Sequence, residues 1–371
     1  MILQRISYEN FRNHKSLTYE PEEGINLIYG PNGSGKTSML EGIHYCALTK
    51  GFVSAVDGDC LEWSADFFTV KGEFRSDTGR EQQVQISYTK QKEKQLIVNQ
   101  SEVKPFSRHV GSIPCITFSP SETGIVTGMP SERRKFIDNA ISQTDRRYLE
   151  DLLEYRRVLA QRNALLIQLS ERKTRNDATL SVWSEKLAEI AASVTMRRKK
   201  FIDDFSLRIG DMYRELDIRE DPGIVYRSSL PGSLGNEKEE SLRGRFIERY
   251  RSTEENDIMR GQTMTGPHRD DLGFLLGGRD ARRYASQGQI RTILICLKLS
   301  QQKFYGELLG ESPISLLDDI FSELDTRRIQ RILEVLGTFG QSVITSTENR
   351  KKGNIKAISI EEFKDKKEEQ G

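Results

Sequence analysis

The stretch Gly30-Pro31-Asn32-Gly33-Ser34-Gly35-Lys36-Thr37 fits G-x-x-x-x-G-K-[ST], the pattern of a phosphate-binding loop. Ile25-Asn26-Leu27-Ile28-Tyr29 runs before it as a buried strand, and the segment from Ser38 to Leu48 follows it as a helix. Strand, glycine loop and helix are the context this pattern needs. The glycines let the backbone curl so that several N–H groups face one point. The start of the helix adds the positive end of its dipole. Gly30 through Ser38 are therefore candidate nucleotide contacts. Lys36 reaches the β- and γ-phosphates, and the Thr37 hydroxyl suits Mg²⁺. The plain alternative is a glycine turn ahead of a core helix, and both flanks argue against it. An α/β fold binding a nucleoside triphosphate with Mg²⁺ is predicted.

The chain has 371 residues, room for one large or two modest domains. A net charge of +1 offers no general argument for nucleic acid, so any such argument must come from local clusters. No run of about 18 apolar residues is present, which predicts no transmembrane helix. Met1-Ile2-Leu3-Gln4-Arg5-Ile6 alternates like a strand and does not read as a signal peptide. Cys46, Cys60, Cys115 and Cys296 are scattered, with no Cys-x-x-Cys pair. That argues against a zinc site or disulfide framework and for a cytosolic protein.

Residues 1–125 read as mixed strands with one long helix. Strands are expected at 67–74, 83–89 and 94–99, in an antiparallel meander. Residues 131–217 change character. Tyr148, Leu152, Tyr155, Leu159, Leu166 and Leu169 largely follow a 4-3 spacing. After the polar link Thr174-Arg175-Asn176-Asp177, so do Leu180, Trp183, Leu187, Ile190, Val194 and Phe201. Two such stripes predict an antiparallel helical hairpin, an arm reaching about 40 Å. Residues 228–241 read as a loop, 242–250 as a helix, and the tail from Glu361 as solvated and frayed.

A P-loop needs an acid for its metal. Ile314-Ser315-Leu316-Leu317-Asp318-Asp319 is an apolar strand ending in two carboxylates. Asp318 suits the metal, directly or through water, and Asp319 suits the water that attacks the γ-phosphate. Upstream, Ser286 is a plausible N-cap for a helix at 289–304. Ser286-Gln287-Gly288-Gln289 thus offers a second anion site. Since the chain already has a P-loop, this second site can serve the ATP held by another chain.

These segments carry a resemblance. Ser286-Gln287-Gly288-Gln289 resembles the signature of ABC-type ATPases, and Phe321-Ser322-Glu323-Leu324-Asp325 resembles their D-loop. Asn10-Phe11-Arg12-Asn13-His14 is similar to the Asn-Phe-Arg motif of the Rad50/SMC branch. Thr265-Gly266-Pro267-His268-Arg269-Asp270-Asp271 and the segment from Gly128 to Asp138 resemble motifs of the RecF family. The resemblance covers nearly the whole chain, in order.

It implies an ABC-type ATPase head, a mixed sheet with an antiparallel lobe, interrupted by a short helical-hairpin arm. Residues 1–125 and 265–371 would form the head, and 126–264 the arm and second lobe. It further implies ATP-driven homodimerisation on gapped or duplex DNA, release by slow hydrolysis, and work with RecR and RecO in recombinational repair in the cytoplasm, at the nucleoid. The activity implied is a weak, DNA-dependent ATPase with Lys36 and Asp319 as catalytic residues. Arg12 would contact the nucleotide in cis. Ser286, Gln287, Gly288 and Gln289 would cap the γ-phosphate in trans, and Asp325 would lie at the dimer seam. The chain departs from the ABC pattern in lacking a switch histidine, whose place falls to Thr347. No glutamine marks a Q-loop, whose place falls to Pro120-Ser121-Glu122.

A lone histidine such as His268, beside an arginine and two aspartates, is more often structural than catalytic. Residues 265–271 are read as support for the second lobe. The DNA candidates are Arg133-Arg134-Lys135, Arg146-Arg147, Arg156-Arg157 and Arg197-Arg198-Lys199-Lys200. Such clusters are usually solvated faces. With the resemblance, they imply backbone contacts without sequence readout. Two rival readings are a transporter-type ATPase subunit and a Rad50-like regulator of a nuclease. The arm, the absent switch histidine and the Asn-Phe-Arg start oppose the first; the lack of a Cys-x-x-Cys hook opposes the second.

Overall fold

The computed structural model describes residues 1–54, 56–172, 177–322, 324–349 and 355–365. Its backbone forms two units. The first comprises Met1–Glu122, Asp211–Arg219 and Arg291–Gly371, and the second Thr123–Gly210 and Glu220–Ile290. The second unit thus runs past the expected limit of residue 264. The reason is strand pairing: Asp271–Leu276 lies antiparallel to Pro222–Arg227 and to Arg279–Asp280. Among the described residues, no helix is long and apolar enough to cross a membrane.

In the first unit, helix Lys36–Leu48 packs between two sheets. Met39, Leu40, Ile43, Tyr45, Cys46 and Ala47 are all fully buried, as expected of a helix covered on every side. One sheet is parallel, in the order Lys356–Ser359, Ile25–Tyr29, Ser342–Ser346, Ile314–Leu317, Cys115–Phe118. Its strands Ile314–Leu317 and Ser342–Ser346 are buried at every position because both faces are covered. Because all five strands point one way, the segments after Tyr29, Phe118, Leu317 and Ser346 leave from one edge. That edge is where ligands bind in open α/β sheets.

The other sheet is antiparallel, in the order His14–Tyr19, Ile2–Phe11, Phe67–Arg75, Glu81–Thr89, Lys94–Val98, Ser101–Glu102. Strand Glu81–Thr89 alternates, with Val84, Ile86 and Tyr88 turned to the core. The expected meander is present with slightly different ends. The P-loop helix approaches this sheet closely. A Cβ on Gly42 would lie 2.1 Å from the Tyr8 ring, whose hydroxyl donates to Met39 O at 2.7 Å. At the far end of the chain, Phe363 packs edge-on against Tyr19. The start of the tail is therefore anchored rather than frayed, because an aromatic ring gains by leaving water. Residues 366–371, like Glu323 and residues 174–176 of the polar link, lie outside the described residues.

The second unit contains the hairpin, helices Arg146–Arg172 and Ala178–Glu215, the last five residues of the latter counting with the first unit. Asp151 accepts from Ser193, Arg162 bonds Ser184, and Arg198 bonds Tyr148. Partners descend in one helix as they ascend in the other, so the helices run antiparallel. The buried stripe differs from the expected one. Val158 replaces Leu159 within it, and Arg162 is fully buried. Arg162 Nη1 donates to Asp257 Oδ2 at 2.9 Å and to Thr263 Oγ1 at 2.6 Å. Its guanidinium also lies 5.0 Å from the Tyr250 ring centre. Burial pushes the Asp257 carboxyl up, and Arg162 opposes the shift. The His268 ring sits nearby in sequence to these partners: the Tyr155 hydroxyl bonds Nδ1 at 2.6 Å, and Nε2 bonds Thr263 O at 3.0 Å. A neutral ring that donates from Nε2 and accepts at Nδ1 satisfies both. Burial holds its pKa down to about 4.

Two outcomes follow for stability. Arg162→Met leaves a buried carboxylate without its counter-charge and should cost about 3–5 kcal/mol in urea unfolding, with Arg162→Met/Asp257→Leu recovering much of it. For His268, the unfolded ring titrates near 6.5. As pH falls from about 6.5 to about 4, the unfolded chain takes up a proton that the folded chain refuses. Stability should drop across that window by on the order of 2 kcal/mol, and His268→Asn should flatten this part of the pH profile.

Candidate functional site

The P-loop strand delivers the chain to Gly30, whose N–H donates to Ser346 O at 3.2 Å. From there the loop turns into the helix through Gly35, at φ 104. A Cβ on Gly35 would lie 2.6 Å from the His14 ring and 2.9 Å from the Asn13 amide, so only glycine fits. The result is a cleft of about 360 Å³ at the C-terminal edge of the parallel sheet. Asn32, Gly33, Gly35, Lys36, Thr37 and Ser38 line it on one side. Gly30, Pro31 and Ser34 complete the loop behind them. Lys36 Nζ donates to Gly30 O at 2.8 Å and to Pro31 O at 2.7 Å. Burial lowers the Lys36 pKa, and the carboxylates of Asp318 and Asp319 oppose that shift.

Across the cleft stand the two acids. The Thr37 hydroxyl donates to Asp318 Oδ1 at 2.9 Å, between residues 281 apart in sequence. The Thr345 hydroxyl donates to the same Oδ1 at 2.6 Å and accepts from Asp319 N at 3.1 Å. One hydroxyl therefore holds the Asp318 carboxylate and the Asp319 backbone. Asp319 has φ 45, a left-handed conformation that costs a non-glycine residue about 1 kcal/mol or more. Its carbonyl accepts from Arg291 Nη2 at 3.1 Å. A threonine hydroxyl beside a carboxylate is a hard-oxygen donor set, which fits Mg²⁺. Thr347 and Pro120 also line the cleft. Glu122, from the segment given the Q-loop place, accepts from Lys298 Nζ at 2.7 Å and from Ser119 N at 2.9 Å.

The turn between the first two strands reaches the cleft through Asn13. Arg12 is placed otherwise. Its guanidinium forms a two-bond pair with Glu41 on the P-loop helix, at 2.6 and 2.8 Å, and donates to Asp59 O at 2.7 Å. Asn10 and Arg12 both have positive φ, 52 and 55, so the Asn-Phe-Arg segment is a shaped turn. His14 Nε2 bonds Gly35 O at 3.0 Å. Sequence reasoning missed Asn13, His14, Glu41 and Thr345 as parts of this site. The only signal was their neighbourhood to motifs, because their roles depend on strand register.

Every residue lining the cleft belongs to the first unit, and Ser286-Gln287-Gly288-Gln289 belongs to the second. There Ser286 N donates to Gln289 Oε1 at 2.8 Å and Gln289 N donates to Ser286 Oγ at 3.3 Å. This reciprocal cap starts helix Gln287–Leu309 two residues before the expected position. Ser286, Gln287 and Gly288 are exposed. Asp325 caps helix Thr326–Leu336 by accepting from Arg328 N at 2.9 Å, which lowers its pKa.

The two remaining motifs meet each other. Arg133 pairs with both oxygens of Asp271 at 2.6 and 3.0 Å, and Arg134 Nη1 donates to Asp270 O at 2.9 Å. Arg198 is 2% exposed, bonded to Asp138 at 2.7 Å and to Pro267 O at 2.7 Å. Arg133 and Arg198 are thus structural and leave the set of DNA candidates, since a buried guanidinium cannot meet a phosphate backbone. Arg197 pairs with Asp145, Arg146 with Glu150 and Arg157 with Glu154. Lys135, Arg147 and Lys200 are exposed.

A family model described as an AAA domain matches residues 5–221. The DNA replication and repair protein RecF of Chlorobium phaeovibrioides is 54% identical over 348 residues, 94% of each chain. Among solved structures, the recombination mediator protein RecF with ATP superposes with a TM-score of 0.90 at 34% identity, over 96% of this chain and 95% of that one. The Smc head domain of Pyrococcus furiosus bound to the C-terminal domain of ScpA, at TM-score 0.54 and 14% identity over 94% and 90% of the chains, shares the fold alone. Identity of this order, running the length of both chains, shows that the chain belongs to the RecF family of DNA replication and repair proteins, within the ABC-type ATPases.

Proposed function

We propose that this chain is an ATP-switched DNA-binding protein of recombinational repair. ATP and Mg²⁺ would occupy the cleft, and a second copy would close it with its own Ser286-Gln287-Gly288-Gln289. The dimer would hold gapped or duplex DNA by its backbone, and slow hydrolysis would release it. The observation that carries the reading is the 2.9 Å bond from Thr37 to Asp318, which brings P-loop and acid together across 281 residues. The exposed, capped start of helix Gln287–Leu309 supports the second half of the proposal. A hydroxyl and a helix start directed at solvent suit a phosphate brought by another molecule. RecR and RecO are proposed as partners from the family resemblance and from the naming of the RecFOR pathway for the solved relative.

The chain's own residues divide the chemistry. The P-loop amides and the Lys36 ammonium orient the β- and γ-phosphates. When bound, Mg²⁺ supplies charge that offsets the build-up on the transferred phosphoryl oxygens. Asp319 accepts a hydrogen bond from the attacking water. Its side chain is one methylene shorter than glutamate, so the water must come closer to the acid. Fewer productive encounters suit a timer better than a fast catalyst. Lys135, Arg147 and Lys200 are the proposed phosphate contacts on DNA.

Two substitutions test this reading. Asp319→Asn should retain ATP binding, slow hydrolysis by about 100-fold or more, and lengthen the life of the ATP-bound dimer on DNA. Normal turnover would remove Asp319 from the reaction. Ser286→Arg places a bulky cation where the second chain's phosphate would sit. It should leave nucleotide binding intact and abolish the ATP-dependent rise in mass seen by light scattering.

A further inference from the structure

Trp63 is 98% exposed. It stands on a firm support. Glu62 N donates to Asn10 O at 3.0 Å, Ala65 N donates to Glu62 O at 3.1 Å, and Ser64 bonds Glu62 Oε2 through N and Oγ at 2.9 and 2.6 Å. The exposed side chains of Val53, Val56 and Phe67 come from the same segment of chain. So do the carboxylates of Asp59, Glu62 and Asp66, of which Asp66 pairs with Lys90 at 2.8 Å, while Asp59 and Glu62 form no ion pair among the described residues. An indole left in water on a hydrogen-bonded turn is what a buried interface anchor looks like before its partner arrives. The acids around it disfavour a nucleic-acid backbone and favour a basic protein surface.

Such a surface exists on this chain. In the second unit, a pocket of about 290 Å³ is lined by Leu276, Ala281, Tyr284 and Ala285, with Glu220 and Asp221 as acceptors at its wall. Tyr284 is 67% exposed, and Arg279, Arg282 and Arg283 stand exposed beside it. A buried indole needs an acceptor for its N–H, and the wall supplies two. Both ends belong to the interface proposed above. The Trp63 turn is bonded to the Asn-Phe-Arg segment, whose neighbour Asn13 lines the nucleotide cleft. Gln289 of the signature segment lines the pocket.

We infer that in the ATP-bound dimer Trp63 of one copy enters the Tyr284 pocket of the other, with Glu62 and its neighbouring acids facing Arg282 and Arg283. By two-fold symmetry the contact forms twice. This rests on the dimer proposed above, and the experiment separates the two. The chain has two tryptophans, so Trp183→Phe leaves Trp63 as the sole indole reporter. Adding ATP and Mg²⁺ at dimer-forming concentrations should shift its emission to the blue and protect it from acrylamide. Dimer formation by light scattering with unchanged Trp63 emission would overturn the contact and leave the dimer standing. A shift produced by a single-stranded oligonucleotide without nucleotide would overturn it in favour of base stacking. Independently of that reporter, Trp63→Ala and Arg282→Glu/Arg283→Glu should each weaken dimerisation about tenfold or more at unchanged ATP affinity. Adding Glu62→Arg to the arginine double variant should restore part of the loss, and no recovery together with no effect of Trp63→Ala would overturn the proposal.

Discussion

The hydrogen bond between Thr37 and Asp318 depends on the parallel sheet. It spans 281 residues of chain, yet it needs only that two strands of one sheet, separated by a third, end at the same edge. Ile25–Tyr29 pairs with Ser342–Ser346, which pairs with Ile314–Leu317, all in the same direction. Once that register is set, the P-loop, the acid pair and Thr345 leave from one edge without further adjustment. A whole second unit can lie between the strands because loop-closure entropy grows slowly, by about 0.6 kcal/mol per doubling of length. The inserted residues also form a core of their own, so they do not behave as a long flexible loop.

This explains which parts of the molecule were legible in the sequence. The P-loop, the acid pair and the signature segment are contiguous, and their chemistry requires fixed residue types at fixed spacing. The hairpin was legible for the same reason, as a periodic stripe. Thr345 was not, because its role comes from strand pairing, and a threonine inside Ser342–Ser346 looks like any strand residue. Arg162 was not, because an arginine within an apolar stripe reads as surface until Asp257, 95 residues away, is placed beside it. Arg12 was read by analogy as facing nucleotide. Its partner Glu41 sits on the P-loop helix, in a stretch whose pattern is otherwise apolar.

The basic clusters show how charge runs mislead. On a helix, consecutive residues point about 100° apart, so a run of three or four cations cannot all face solvent. In Arg133-Arg134-Lys135 the first turns inward to Asp271 and the last faces out. In Arg197-Arg198-Lys199-Lys200 the second is buried on Asp138 while Lys200 is exposed. The motifs that look most like DNA-binding patches therefore supply the internal ionic ties of the second unit. A charged residue held there needs its partner, since an uncompensated buried charge costs about 3–5 kcal/mol. Composition counted those residues as surface charge, and only pairing shows what remains for a phosphate backbone.

Helix Gln287–Leu309 begins at the signature segment, and within two turns of its start it carries Arg291. Arg291 Nη2 donates to Asp319 O at 3.1 Å and to Ser322 Oγ at 2.7 Å. Asp319 is already held in a left-handed conformation, with its amide on the Thr345 hydroxyl that also orients Asp318. A residue in a sparsely populated conformation persists only while its surroundings hold it there. One continuous helix thus carries both the capped signature segment and the arginine that bonds the Asp319 backbone. The P-loop has its own support: His14 Nε2 bonds Gly35 O at 3.0 Å, away from the arginine that holds the Asp319 backbone. The loop that would hold phosphate and the acid that would face water thus rest on separate partners, His14 for the one and Arg291 with Thr345 for the other, which suits the proposed order of assembly before turnover.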